Sequence, residues 1–219
     1  MPKAFLFDLN GTMINDMQYH IIAWHKILNN LGATISLEET KHQCYGKNNE
    51  LLERTFPGRF TDEEKNAMSI EKEKAYQSTY LPYLKEIDGL GKFLQKTKDT
   101  KIKTAIGSAA IKFNIDFVLN NLNLQHYFDA IVCADDVVES KPNAETYLKC
   151  ASTLHTLPQD CIVFEDVPKG VESAANAGMK CIVISGEHHS KQEFDSFDNV
   201  IAFVNNYNEI NFDWLINLK

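Results

Sequence analysis

Short apolar runs alternate with amphipathic stretches along most of this chain. Residues 4–7 are apolar or small and run directly into Asp8, and a glycine follows at position 11. This pattern is expected where a buried parallel strand delivers a carboxylate to the rim of a sheet. Similar apolar runs predict further strands at 103–107, 130–133, 161–164, 181–184 and 200–203.

Between these runs, apolar positions recur at helical spacing. Helices are predicted from residue 90 onward and over 113–122, 144–154 and 168–177. The last of these begins with Pro168 and is followed by Gly178, which is the usual asymmetry of helix ends. Short apolar strands that alternate with helices predict an α/β fold with a doubly wound parallel sheet.

The stretch from residue 16 to about residue 84 interrupts this alternation. It contains helical patterns only: one stops at Gly32, and capping-box patterns at Ser36 and Thr61 open two more helices. We therefore expect two domains, which are an α/β core formed by residues 1–15 and 86–219 and an all-helical cap formed by residues 16–85.

Composition narrows the function classes. The chain has 219 residues, of which 44% are hydrophobic and 24% charged, as in ordinary globular proteins. Its net charge of −8 disfavours a nucleic-acid partner, which would need clustered Lys and Arg. No apolar run approaches the roughly 20 residues that span a bilayer. We expect a cytoplasmic monomer with no membrane partner, whose five cysteines are reduced core thiols.

The predicted strand ends carry chemically useful side chains. In open parallel sheets, ligands bind beyond the carboxyl ends of the strands. Those ends carry Asp8 with Asn10, Ser108, Lys141, and Glu165 with Asp166. Each also has a simpler interpretation: Ser108 as a helix cap, Lys141 as a solvated loop charge, and the acidic pair as the favourable N-terminal flank of a helix.

Taken together, these motifs resemble a known family. The run from Asp8 to Thr12, then Ser108, Lys141-Pro142, and Glu165-Asp166 followed by small residues, resembles the four motifs of the haloacid dehalogenase (HAD) superfamily. Within it, the chain is similar to the β-phosphoglucomutase-like group, which carries a helical cap after the first motif. His20 and Trp24 match the first cap helix of that group. The resemblance implies a Rossmann-like HAD core with an inserted cap.

The resemblance also implies a chemistry. Asp8 would attack phosphorus and hold the phosphoryl group as an aspartyl phosphate, while Lys141 and Ser108 stabilise the charged transition state. Mg²⁺ prefers oxygen ligands. The expected ligands are the carboxylates of Asp8 and Asp166 and the backbone carbonyl of Asn10, with Glu165 in direct or more distant contact.

Substrate contacts are expected from both domains. The resemblance assigns them to Thr12, His20, Lys47, Asn49, Ser108 and Ala109, with His20 as a hinge or gate residue of the cap. The glucose-phosphate mutase of this group carries an arginine that grips a second phosphate, whereas this region of the chain offers Lys47 and asparagines. We therefore predict a Mg²⁺-dependent phosphohydrolase of a small phosphorylated metabolite, with the sugar-phosphate mutase as the alternative.

Asn10 departs from the family pattern. Most phosphatases and mutases of this family have an aspartate there, which protonates the leaving oxygen and then activates the incoming water or alcohol. An amide cannot transfer that proton, and such transfer is worth roughly 10²–10⁴ in rate. Three explanations stay open: an engineered variant, a substrate whose leaving group needs little protonation, or a phosphate-ligand binding protein without turnover.

Two relatives with altered first motifs are weaker alternatives. Haloacid dehalogenases use no metal, whereas the acidic pair here predicts a metal site. Phosphonoacetaldehyde hydrolases depend on a Schiff-base lysine from the cap, for which Lys26, Lys41 and Lys47 are the candidates early in that domain.

Overall fold

The computed structural model describes residues 1–186 and 189–218, and the chain divides into two compact units. Residues 1–15 and 85–219 form an α/β unit, and residues 16–84 form a helical unit. Within the described residues, no helix has the length and apolar character needed to cross a membrane.

The α/β unit is built on a six-stranded parallel sheet, which confirms the predicted fold class. Its strands are β1 (Ala4–Phe7), β2 (Lys103–Gly107), β3 (Ala130–Val132), β4 (Cys161–Glu165), β5 (Lys180–Ile184) and β6 (Val200–Val204). They lie in the order β3-β2-β1-β4-β5-β6.

The helical unit contains α1 (Met17–Asn30), α2 (Leu37–Gln43), α3 (Asn48–Thr55) and α4 (Asp62–Tyr80). The predicted capping boxes are both present: the hydroxyls of Ser36 and Thr61 accept hydrogen bonds from backbone N–H groups at the starts of α2 and α4. Trp24 and Leu28 of α1 pack with Leu51 and Leu52 of α3 in the core of this unit.

The remaining helices belong to the α/β unit. They are α5 (Leu90–Asp99), α6 (Lys112–Leu122), α7 (Glu145–Thr153), α8 (Pro168–Asn176) and α9 (Phe212–Ile216). All five cysteines are free, as expected; four are buried, whereas Cys44 is half-buried.

Strand β1 lies at the centre of the sheet, between β2 and β4. From β1 the chain builds β2 and β3 on one side and then crosses to β4 on the other, so the strand order reverses next to β1. Phe7 is in register with Phe164, and the backbone N–H of Asp8 donates to the carbonyl of Phe164 at 3.0 Å. Asp8 and Glu165 therefore lie side by side at the carboxyl ends of β1 and β4, where open α/β sheets bind ligands.

The two faces of the sheet have different cores. Phe5 and Phe7 face an aromatic cluster in which the Phe7 and Phe164 rings stack with centroids 4.6 Å apart. Ala4 and Leu6 point to the other face, where they belong to the same core cluster as Tyr147 of α7. Because successive side chains of a strand point to opposite faces, we expect the side chain of Asp8 on the same face as Ala4 and Leu6, towards α7.

Candidate active site

Three buried carboxylates meet at the end of the two central strands. Asp8 directly follows β1, Glu165 ends β4, and Asp166 comes next; their exposed fractions are 8%, 0% and 4%. One oxygen of each lies within 4.8 Å of the others. The structure therefore brings together the three acids that the strand ends predicted.

Lys141 joins this cluster from the segment between β3 and α7. Its ammonium nitrogen lies 2.7 Å from Asp8 Oδ1 and 2.6 Å from Glu165 Oε1, and only 8% of its side chain is exposed. These distances are those of charge-assisted hydrogen bonds. Lys141 therefore bridges the first and fourth strand ends.

The pKa values of these groups reflect both burial and charge. Burial raises the pKa of Asp8 to about 6, and Glu165 adds to this while Lys141 opposes it. Burial and the neighbouring carboxylates of Glu165 and Asp8 also raise the pKa of Asp166 well above its ordinary value. Burial alone would lower the pKa of Lys141, but Asp8 and Glu165 outweigh it and raise it.

The donor set fits a divalent cation. When ionised, three carboxylates face one ammonium among the described residues, which leaves an excess of negative charge in a buried place. All the candidate ligand atoms are oxygens, which Mg²⁺ prefers. A Cβ on Gly11 would lie 1.9 Å from Asp166 Oδ2, so only glycine lets the backbone approach that carboxylate so closely.

The carboxylates differ in how fully the protein already uses them. Glu165 Oε1 accepts from Lys141 and from the Tyr147 hydroxyl, and Glu165 Oε2 accepts from the backbone N–H of Asp166. Glu165 is thus held by the protein itself, which favours Asp8 and Asp166 as the direct ligands. That the carbonyl of the half-buried Asn10 would be a further ligand stays a prediction.

Thr12 is engaged within the protein itself. The residue is fully buried, and its hydroxyl donates to Asp166 Oδ1 at 3.1 Å. Its backbone carbonyl accepts from the Tyr207 hydroxyl at 3.1 Å. The hydroxyl of Thr12 therefore orients Asp166, and a substrate contact by Thr12 stays a prediction.

The structure also decides against the simpler interpretations of the other motifs. Ser108 is not the cap of α6, because Ile111 occupies that position. Its buried hydroxyl accepts from the backbone N–H of Ala110 at 3.2 Å instead, with the half-buried Ala109 between them. Lys141 is buried rather than solvated, and Glu165 and Asp166, which precede α8, are themselves buried in the acidic cluster.

Comparison with known proteins agrees with this geometry. A family model of the haloacid dehalogenase-like hydrolases matches residues 5–184. The chain belongs to this HAD-like hydrolase family. The match contains every motif that forms the acidic cluster and the whole helical unit.

Similar proteins include enzymes that act on phosphorylated sugars. The fructose-1-phosphate phosphatase YqaB of Escherichia coli is 27% identical over 82% of this chain and 94% of that protein. The β-phosphoglucomutase of Bacillus subtilis is 29% identical over 81% of this chain and 80% of that protein. The crystal structure of β-phosphoglucomutase from Clostridium difficile is 27% identical with a TM-score of 0.85, covering 99% of this chain and 96% of that one.

In the helical unit of this HAD-like hydrolase, His20 belongs to a buried polar cluster. Its Nε2 lies 3.2 Å from Asp16 Oδ2, its Nδ1 contacts the ammonium of Lys72, and its ring stacks on Tyr76. Lys72 is 2% exposed and donates to Glu73 Oε1 at 2.8 Å. A hinge or gate role for His20 stays a prediction.

Lys47 and Asn49 lie where α3 begins. Lys47 precedes the helix and is half-buried, and its backbone N–H donates to Glu50 Oε2 at 3.0 Å. The Asn49 amide donates to Asn66 of α4 at 2.7 Å. Substrate contacts by either residue stay predictions.

Sequence reasoning missed two side chains that matter to these clusters. Tyr147 reads as one more apolar position of α7, and Lys72 lies 52 residues after its partner His20. A signal existed for Tyr147 only, since a hydroxyl on a helix face directed at a core must find a hydrogen-bond partner.

Proposed function

We propose that this HAD-like hydrolase is a Mg²⁺-dependent phosphatase of small phosphorylated metabolites that works through an aspartyl phosphate on Asp8. The observation that carries the proposal is the bridge made by Lys141, whose ammonium contacts Asp8 and Glu165 inside a buried acidic cluster. A carboxylate in this setting is a nucleophile with its charge partly neutralised, which lets a phosphate dianion approach.

The reaction takes two displacements. An oxygen of Asp8 attacks phosphorus, the bond from phosphorus to the ester oxygen breaks, and the leaving oxygen takes the bonding electrons. Water then attacks the phosphorus of the aspartyl phosphate and gives up a proton to the solvent. The bond from phosphorus to the Asp8 oxygen breaks, inorganic phosphate leaves, and the Asp8 carboxylate is restored. Lys141 offsets the negative charge that spreads over the phosphoryl oxygens in both steps.

Asp8 and Asp166 would hold Mg²⁺ beside this nucleophile. When bound, the cation supplies positive charge that neutralises the excess of carboxylates and the phosphoryl group. Glu165 fixes Lys141, and Thr12 fixes Asp166. Each direct participant therefore has a neighbour that orients it.

Because Asn10 stands in place of an acid, the rate of turnover should depend on the acidity of the leaving group. Because an amide supplies no proton, the leaving oxygen must depart with its charge or take a proton from water. We therefore propose that acyl phosphates, phosphoanhydrides and esters of acidic alcohols are turned over much faster than ordinary sugar phosphates.

Hydrolysis is favoured over mutase chemistry. The β-phosphoglucomutases resemble this chain in sequence and fold, but a mutase must also grip a second phosphate. In the corresponding region, the amide of Asn48 donates to Ser69 and Glu73, and that of Asn49 donates to Asn66. Neutral amides already engaged within the helical unit support a monophosphate substrate.

The test is phosphate release with Mg²⁺ over a series of phosphates whose leaving groups differ in acidity. The series runs from acetyl phosphate through aryl phosphates to sugar phosphates, and it is measured for the unsubstituted chain and for Asn10→Asp. We expect Asn10→Asp to accelerate sugar-phosphate hydrolysis by about 10²–10⁴ and acetyl phosphate hydrolysis very little. Asn120→Asp, which adds the same charge at an exposed position of α6, is the matched control.

Three outcomes would contradict the proposal. If Asp8→Ala keeps metal-dependent turnover in either background, Asp8 is not the nucleophile. If neither the unsubstituted chain nor Asn10→Asp releases phosphate from any compound, the phosphatase proposal fails and a phosphate-binding role is favoured. Glucose 6-phosphate formed from β-glucose 1-phosphate would favour the mutase.

A further inference from the structure

Tyr147 is a fully buried tyrosine of α7 whose polar end lies against the acidic cluster. Its hydroxyl donates to Glu165 Oε1 at 2.5 Å. The face of its ring lies under Lys141, with the ammonium nitrogen 4.7 Å from the ring centroid. One side chain therefore contacts both members of the buried ion pair, by a hydrogen bond to one and a cation–π contact to the other.

Three donors hold the Glu165 carboxylate. Lys141 and Tyr147 both donate to Oε1, and the backbone N–H of Asp166 donates to Oε2 at 3.1 Å. The remaining side is bounded by Gly170 of α8, where a Cβ would lie only 1.9 Å from the carboxylate carbon of Glu165. These contacts on all sides fix the position of the Glu165 carboxylate, and the hydroxyl of Tyr147 is one of them.

The position of Glu165 determines what the other carboxylates can do. Lys141 is shared between Asp8 and Glu165 at nearly equal distances, 2.7 and 2.6 Å. If Glu165 lost one donor, it would attract Lys141 more strongly and turn towards any cation nearby. Asp8 would then lose its ammonium partner, and the geometry offered by Asp8 and Asp166 would change.

We propose that Tyr147 is a positioning residue of the acidic centre, whose hydroxyl holds Glu165 away from the cation and so preserves the Mg²⁺ site of Asp8 and Asp166. This inference rests on the proposed function for its link to turnover, but its effect on metal binding is separate. Groups that orient the ligands of a metal site typically contribute 10–100-fold in affinity or activity.

The experiment removes the hydroxyl alone. Tyr147→Phe keeps the ring under Lys141, and Mg²⁺ binding to the metal-free protein is measured by titration calorimetry. We expect the dissociation constant for Mg²⁺ to rise by about 10-fold. With the best substrate of the series, kcat should fall while KM changes little, because the hydroxyl touches no substrate. Tyr127→Phe is the matched control, since that hydroxyl donates to Gln95 at 3.1 Å on the surface.

A double-mutant cycle tests whether Tyr147 acts through Glu165. In a Glu165→Gln background, Tyr147→Phe should change Mg²⁺ affinity no further, because the group that it orients has lost its charge. Additive losses in the cycle would overturn the proposal. So would a Tyr147→Phe protein with a lower melting temperature but unchanged Mg²⁺ affinity, since that is the behaviour of a core residue.

The experiment can distinguish failure of the positioning role from failure of the proposed phosphatase function. If no variant releases phosphate but Tyr147→Phe weakens Mg²⁺ binding as expected, the phosphatase proposal fails and the positioning role stands. If the unsubstituted chain turns over phosphates and Tyr147→Phe matches it in Mg²⁺ affinity, the positioning role fails alone. An unsubstituted chain that binds no Mg²⁺ overturns the positioning role as well.

Discussion

Each unit buries a cluster of ionisable side chains, but the two clusters differ in the charges that surround their carboxylates. In the α/β unit, the carboxylates of Asp8, Glu165 and Asp166 share the single ammonium of Lys141. In the helical unit, Glu73 lies against the ammonium of Lys72 at 2.8 Å and close to His20. The first cluster holds three carboxylates and one ammonium among the described residues, whereas the second holds two carboxylates, those of Asp16 and Glu73, beside Lys72 and His20.

The pKa directions express this difference. Burial raises the pKa of Asp8 to about 6, because Lys141 lowers this pKa by less than burial raises it, and Glu165 adds to the rise. Burial would also raise the pKa of Glu73, but Lys72 and His20 outweigh it and hold that pKa below its ordinary value. The comparison teaches that the cationic groups of the helical cluster outweigh burial at Glu73, whereas Lys141 does not outweigh it at Asp8; we propose that a divalent cation supplies the remaining positive charge in the α/β cluster.

The largest expected effect comes from removing the buried ammonium group of each unit in turn. Lys141→Met leaves the acidic cluster without a cation, and we expect turnover to fall by about 10²–10³. Breaking a buried ion pair costs about 3–5 kcal/mol, so Lys141→Met and Lys72→Met should both destabilise the protein. Urea unfolding with and without Mg²⁺ measures the difference between them.

Mg²⁺ should restore much of the stability lost in Lys141→Met, because the cation replaces the missing charge among the carboxylates. It should restore little of the stability lost in Lys72→Met, because in the part of the chain that the structure describes Asp16, His20 and Glu73 do not bring three candidate metal ligands together. An equal response of the two variants to Mg²⁺ would show that the clusters do not differ in the way proposed.

The next effect concerns pH. Because the pKa of Asp8 is raised from 3.8 to about 6, the folded protein binds more protons than the unfolded chain between these values. By linkage, this group's contribution makes the metal-free protein less stable as pH rises through that window. Mg²⁺ binds the ionised form, so its stabilising effect should grow as pH rises.

The measurement is the change in melting temperature on adding saturating Mg²⁺ at about pH 5 and about pH 8. Where free Mg²⁺ is 100-fold above its dissociation constant, the expected stabilisation is about 2.7 kcal/mol, and proton competition should reduce it at the lower pH. Sodium chloride at matched ionic strength is the control. A Mg²⁺ effect that is larger at the lower pH would contradict the charge excess.

Much of the fold of both units could be predicted from sequence, because the signals are local. Strand β1 and its carboxylate, the helix that begins at Pro168, and the capping boxes at Ser36 and Thr61 all depend on neighbouring residues. Parallel topology then placed the strand ends together. The four motifs predicted the α/β site for the same reason, since each of them ends a strand or follows one.

The features that were missed depend on distant partners. Helix α3 begins at a lysine rather than at Ser, Thr, Asp or Asn, so it carries no strong start signal. Lys72 meets His20 only because α1 and α4 pack together. Thr12 looked available for substrate in the motif, and only the folded chain shows its hydroxyl directed at Asp166.

A smaller effect is expected from filling the space beside Glu165. Gly170→Ala would place a methyl group 1.9 Å from the carboxylate carbon of Glu165, which three donors hold in place. Such overpacking costs about 2 kcal/mol, and displacement of Glu165 should also weaken Mg²⁺ binding.

Gly178→Ala is the matched control because it lies just after the same helix. Nothing lies within 4 Å of a Cβ there, but its φ of +73° is strained for alanine, so we expect a loss of about 1 kcal/mol and no change in Mg²⁺ affinity. Calorimetry on both variants separates strain from displacement. If both lose affinity equally, the position of Glu165 is not what matters.

The smallest expected effect comes from removing one buried threonine hydroxyl in each unit. Thr12→Val removes the donor to Asp166, whereas Thr40→Val removes a donor to the backbone carbonyl of Ser36 in α2; both threonines are fully buried. Each change should cost about 1 kcal/mol. Only Thr12→Val should also lower Mg²⁺ affinity, by a few-fold, because its partner Asp166 is a proposed ligand of the cation. Thr12→Ser, which keeps the hydroxyl, should restore that affinity; if it does not, the methyl group of Thr12 rather than its hydrogen bond positions Asp166.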